Sequence, residues 1–250
     1  MADNALQDKV ALITGGAHRI GAAIARTLHA NGMRLVIHYH SSEAAAHKLQ
    51  SELHKARADS VMLVRGDLSS GDRLGKNLVY ETVEAFGRLD VLVNNAARFY
   101  PTPLGEATET QWEELLGTNL KAPFFLAQAA LPHLKKHNGL IVNIADIYGE
   151  RPLSNFPIYS IAKAGLVMLT KALARDAGPE VRANAIAPGV ILWPEGGIDE
   201  MSKQRIISRT PLKRAGEPDD VARTVLFLVR DGAYITGQVI AIDGGRWVVA

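Results

Sequence analysis

Short runs rich in β-branched residues alternate along the chain with longer segments in which apolar positions recur every three to four residues. This alternation marks strand–helix units around a parallel sheet. The runs predict strands at 10–14, 34–39, 60–64, 91–93, 140–145, 182–187 and 238–242. The segments between them predict helices at about 19–31, 42–57, 70–86, 109–137, 157–177 and 217–230. The expected fold class is α/β, a doubly wound seven-stranded parallel sheet flanked by helices. Two irregular stretches, about 94–108 and 188–210, follow strands, and the carboxyl ends of parallel strands are where such sheets bind ligands. The 109–137 segment carries Leu115, Leu116, Leu120, Phe124, Phe125, Leu126, Leu131 and Leu134 on more than one face, more than a single core-facing stripe needs. The surplus points to a subunit interface.

Composition narrows the class. The 250 residues, 47% of them hydrophobic, suffice for one domain spanning 1–250, with no linker or repeat to divide it. Lys and Arg number 28 against 26 Asp and Glu, with no basic block, so nucleic acid is not an expected partner. The chain has no cysteine, which excludes disulfides, thiolate metal sites and thiol nucleophiles. Its first residues lack the basic and apolar regions of a signal peptide, and no apolar run approaches the roughly 18 residues of a membrane span. A soluble, cytoplasmic protein without membrane contact is expected.

Chemistry enters at the first strand, which runs into Thr14-Gly15-Gly16-Ala17-His18-Arg19-Ile20-Gly21 and then a helix. Strand, Gly-rich turn and helix in this order form the dinucleotide-binding start of a Rossmann fold, with free N–H groups at the helix start facing a pyrophosphate. The second strand ends His38-Tyr39-His40-Ser41-Ser42 and lacks the carboxylate that would take the ribose hydroxyls of NAD. With Arg19, imidazoles and serine hydroxyls nearby, NADP(H) is the expected cofactor. Two blander assignments stay open: His38 pointing into the sheet, and Ser41 capping the next helix. His38 and His40 have no third ligand at metal-site spacing, so no metal is expected. Tyr159 and Lys163 stand four residues apart, on one helix face. There the lysine charge and an oxidised nicotinamide are expected to lower the phenol's pKa.

Thr14-Gly15 with Gly21, Asp67, Asn94-Asn95-Ala96, Asn119, Tyr159-Ser160-Ile161-Ala162-Lys163, Pro188-Gly189 and Asp243-Gly244-Gly245 together resemble a short-chain dehydrogenase/reductase over essentially the whole chain. Arg19 stands where that family commonly has glycine, and Asp146 where it has its catalytic serine, thirteen residues before the tyrosine. These two, with His38-Tyr39-His40 and Arg98-Phe99-Tyr100-Pro101-Thr102-Pro103-Leu104, resemble its pteridine reductase branch. Ser41 replaces an arginine that this branch can carry.

The resemblance implies catalytic roles for Asp146, Tyr159, Lys163 and Asn119, the last holding a water that leads to Lys163. It implies cofactor contacts from Gly15, Arg19, Ile20, His38, Tyr39, His40, Ser41, Asp67, Leu68, Asn94, Ala96, Tyr159, Lys163, Pro188, Gly189 and Val190. Arg19, Phe99, Asp146, Tyr159 and Trp193 are the implied substrate contacts, and a homotetramer the implied assembly. The expected activity is NADPH-dependent reduction of biopterin and dihydrobiopterin, with folate and dihydrofolate as further candidates. The alternatives are a carbonyl reductase acting on 3-oxoacyl thioesters and a non-catalytic NADP(H)-binding regulator.

Overall fold

Seven parallel strands lie in the order β3-β2-β1-β4-β5-β6-β7: β1 (Val10–Ile13), β2 (Arg34–Tyr39), β3 (Val61–Arg65), β4 (Val91–Asn94), β5 (Leu140–Ile144), β6 (Arg182–Pro188) and β7 (Val239–Ile242). This computed structural model describes residues 5–70, 72–193, 197 and 199–249. Each strand lies within one residue of its expected bounds. The doubly wound α/β Rossmann fold read from the sequence is the fold of the chain.

The pleat decides which side chain joins which layer. Ala11, Ile13, Leu35, Ile37, Val91 and Val93 face α1 (Arg19–Ala30), α2 (Glu43–Ala56) and α8 (Pro218–Arg230), packing with Ile24, Leu28, Leu49 and Val225. Leu12, Val36, Leu92 and Ile141 face the other way, against Leu78 of α3 (Asp72–Phe86) and Leu126 and Leu134 of α5 (Ala122–Lys135). Leu166 and Leu169 of α6 (Pro157–Asp176) continue that layer beside β5 and β6. Because both faces are covered, β1, β4 and β5 are buried along their whole length, which is why they read as unbroken apolar runs.

The helix expected at 109–137 runs without a break from 109 to 135, as α4 (Glu109–Leu116), a π-helical turn (Gly117–Lys121) and α5. Of its eight surplus apolar residues, Leu115, Leu126 and Leu134 are buried within this chain, Leu116, Leu120, Phe125 and Leu131 are half-buried and Phe124 is exposed. The stretch expected to be irregular at 188–210 contains α7 (Glu200–Ser208), begun by Asp199, whose carboxylate accepts from Ser202 N at 2.8 Å. Residues 194–196 and 198 of that stretch lie outside the described residues. No helix among the described residues is long and apolar enough to cross a membrane.

Strand order reverses at β1, between β2 and β4. Such a switch point opens a crevice beyond the carboxyl ends of the strands.

Candidate active site

A cleft of about 1140 Å³ occupies this switch point. At its nucleotide end the Gly-rich turn is held by two residues of the neighbouring β4 crossing. The Thr14 hydroxyl accepts from Asn95 N at 3.0 Å and Ala96 N at 3.1 Å, and the Asn95 amide donates to the Thr14 and Gly15 carbonyls, both at 2.9 Å. The backbones approach so closely that a Cβ on Gly15 would lie 2.9 Å from Ala96 Cα, and Gly15 has a φ of +59°. Only glycine fits this cradle beside the start of α1. Arg19 has a φ of +53°, where glycine is favoured, so the chain carries a guanidinium here at a backbone cost of about 1–3 kcal/mol. Its Nη2 donates to the Trp193 carbonyl at 3.3 Å, joining the turn to the loop after β6. Lys203 of α7 lies 5.9 Å from the centre of the Trp193 ring.

The end of β2 shows two histidines with different fates. His38 is buried; its Nδ1 accepts from Gly15 N at 3.3 Å, which leaves Nε2–H to donate to the Gly66 carbonyl at 3.1 Å. Burial pushes it down to about 4, so the ring is neutral and braces the turn. The inward orientation left open for His38 is the observed one, and its ring also lines the cleft. His40 is exposed, with Nε2 3.7 Å from Asp67 Oδ2. Ser41 and Ser42 line the cleft next to it, and neither hydroxyl is needed to cap α2.

At the other end, β5 and α6 bring three groups together. Tyr159 Oη donates to Asp146 Oδ2 at 2.7 Å, while Asp146 Oδ1 accepts from Tyr148 N at 2.9 Å and begins the turn Ile147–Gly149. Lys163, one turn after Tyr159, is buried and donates to the Ile144 carbonyl at 2.8 Å, with its Nζ 5.6 Å from the Tyr159 ring centre. Burial raises the Asp146 carboxyl, against hydrogen bonds from Tyr148 and Tyr159 and the charges of Lys163 and Arg246. Burial, then Asp146, holds the Tyr159 phenol well above its ordinary range. Burial also lowers Lys163 to about 8, with Asp146 opposing.

Among the protein groups, desolvation and the adjacent carboxyl hold the phenol up; the lowering expected from Lys163 together with an oxidised nicotinamide concerns the cofactor-loaded site. Burial shifts both members of the pair toward their protonated, neutral forms.

A family model described as enoyl-(acyl carrier protein) reductase matches residues 15–246. The chain is 39% identical over 252 residues to a protein of Streptomyces violaceoruber assigned as ketoacyl reductase 2 of granaticin polyketide synthase, covering 98% of each chain. It is 35% identical to the 3-oxoacyl-(acyl-carrier-protein) reductase of Staphylococcus epidermidis, over 96% of this chain and all of that one. Identity to the reductase of the same description from Thermotoga maritima is 36%, over 96% of this chain and 98% of that one.

The chain belongs to the short-chain dehydrogenase/reductase family. It is an oxidoreductase of that type. Within this short-chain reductase cleft stand all the expected site residues except Asn94 and Asn119. Asn94 turns inward and donates to Asn143 Oδ1 at 2.8 Å, while its neighbour Asn95 lines the cleft. Asn119 lies in the π-helical turn, with Nδ2 donating to the Arg98 and Leu115 carbonyls at 3.0 and 2.9 Å. Its Oδ1 is buried without a hydrogen-bond partner among the described residues. Phe99 lines the cleft stacked on Phe156, with ring centres 4.5 Å apart, and meets Tyr159 edge to face at 4.8 Å.

Thr14, Asn95, Tyr148 and the Ile144 carbonyl were not singled out from sequence, although Thr14 and Asn95 stood inside the motifs that were. A backbone carbonyl leaves no mark in a sequence.

Proposed function

We propose that the chain is an NADPH-dependent reductase of pterins, dihydrobiopterin first among them, with folates as related substrates. The observation that carries this reading is the 2.7 Å Tyr159–Asp146 pair. Reducing a ring C=N bond adds hydride to carbon and a proton to nitrogen. Burial raises the Asp146 carboxyl and so favours the form that carries such a proton, whereas the serine usual in this family has no comparably titratable proton. Tyr159 and Asp146 line the cleft side by side, so the phenol can hand a proton to substrate and be resupplied by the carboxyl, and Phe99 offers a face to a flat ring. The convergence of Tyr159, Lys163 and Asp146 argues against a regulator without catalysis.

The cleft's residues fit NADP(H), which when bound supplies the hydride. The Gly15 cradle and the start of α1 suit the pyrophosphate, and Ser41, Ser42 and His40 suit a 2′-phosphate. Pro188, Gly189 and Val190 line the end that would take the nicotinamide; a Cβ on Gly189 would lie 2.8 Å from Asp243 Cα. Gly15→Ala is expected to weaken NADPH binding about tenfold or more, because it combines a disfavoured φ with a backbone clash. Titration of NADPH fluorescence measures this, and affinity equal to the wild type would show that the turn does not hold the cofactor.

A second reading, reduction of 3-oxoacyl thioesters, is favoured by the names of the relatives. Following NADPH oxidation in parallel with dihydrobiopterin, biopterin, dihydrofolate, folate and an acetoacetyl thioester separates the two. The pterin reading expects kcat/KM for dihydrobiopterin to exceed that for the thioester by about tenfold or more. Activity confined to the thioester would replace it with the second reading.

A further inference from the structure

Phe99 belongs to the segment between β4 and α4, and its two chain neighbours are tied to a single carboxylate. Arg98 Nη1 donates to Glu114 Oε2 at 3.3 Å, and Tyr100 Oη donates to the same oxygen at 2.9 Å. Burial and this bond to Glu114 raise the Tyr100 phenol, so it stays a donor. The Arg98 carbonyl is held in turn by the Asn119 amide. Farther along, Thr102 N donates to the Asn155 carbonyl at 2.7 Å, and the next residue is the Phe156 that stacks on Phe99 at an interplanar angle of 14°.

Phe99 is thus fixed from both directions, by α4 on one side and by the segment leading into α6 on the other. Side chains in the Arg98–Glu114 pair are 34% and 42% exposed, so the pair contributes little as an isolated ion pair. Its consequence is placement: two anchors one residue to either side leave the Phe99 backbone little freedom to turn the ring away.

We propose that Glu114 is a positioning residue for the substrate wall, holding Arg98 and Tyr100 so that Phe99 lies flat on Phe156 and edge-on to Tyr159. It sets the affinity for a flat ring and takes no part in proton or hydride transfer. This rests on the reading that the substrate ring lies against Phe99.

Glu114→Ala is expected to raise KM for dihydrobiopterin about fivefold, the value of one aromatic stacking contact, with kcat within about twofold. NADPH affinity stays at the wild-type value, and Glu114→Gln, which keeps an acceptor for Tyr100, falls between. In a Phe99→Ala background the Glu114 effect on KM disappears. An unchanged KM, or the same rise in both backgrounds, overturns the proposal.

Fluorine NMR of protein labelled with 4-fluorophenylalanine gives a readout independent of substrate. Of the signals from the six phenylalanines, the one lost in Phe99→Ala is expected to shift or broaden in Glu114→Ala while those remote from the wall stay in place. If it moves in an enzyme that turns over no pterin, the positioning role stands and the pterin reading falls. If it stays in place, the positioning role is wrong whatever the substrate.

Discussion

Replacing Tyr159 with phenylalanine is expected to lower kcat/KM about a thousandfold while NADPH affinity stays within about twofold of the wild type. The ring itself stays in place, because the Phe99 edge-to-face contact and the α6 backbone do not depend on the hydroxyl. What is lost is the donor 2.7 Å from Asp146, and with it the hydroxyl that hands the proton to substrate in the proposed reaction. Asp146 keeps its bond from Tyr148 N, so the local turn survives and thermal stability changes little. Stopped-flow measurement of hydride transfer under single-turnover conditions reads the chemical step directly. A loss of less than about tenfold would mean that the proton travels by another route.

Replacing Asp146 with serine is expected to affect substrates in opposite directions. Serine is as good a helix-start residue as aspartate and also accepts a bond from the backbone N–H two residues on, so the Ile147–Gly149 turn is retained. A neutral hydroxyl then stands beside Tyr159, as is usual in the family. The raised carboxyl proton is gone, and kcat/KM for dihydrobiopterin is expected to fall about a hundredfold. Without a carboxylate beside it, the Tyr159 phenol is no longer pushed up by Asp146, which suits reduction of a carbonyl. Turnover of an acetoacetyl thioester is expected to hold or rise. Parallel steady-state assays of the two substrates check this, and an equal fall in both would show that Asp146 is a structural support.

The strands were legible because parallel strands covered on both faces must be apolar throughout, and the motifs were legible because their spacing places them on known ends of those strands. The π-helical turn inside the 109–137 helix was not. Apolar residues continue through Gly117–Lys121, and the π-helical turn is tied to the three-dimensional placement of Asn119 against the Arg98 carbonyl. Asn94 and Asn95 are adjacent and identical in type, and the pleat at the end of β4 decides which one meets the cleft. His38 could have faced either way until Gly15 N and the Gly66 carbonyl came within reach of its two nitrogens. Glu114 reads as an ordinary surface residue of a helix, since the residues it holds lie 16 and 14 positions earlier.

The central claim is that the Asp146 carboxyl carries the reaction's proton, and the pH dependence of kcat/KM for dihydrobiopterin tests it most directly. The protonated carboxyl exists below its raised pKa and is lost above it, so the rate falls as the pH rises through that value. Wild type is predicted to show this limb above the usual carboxylate range, and Asp146→Ser is predicted to lack it. The same limb in both proteins would place the proton on another group and contradict the account.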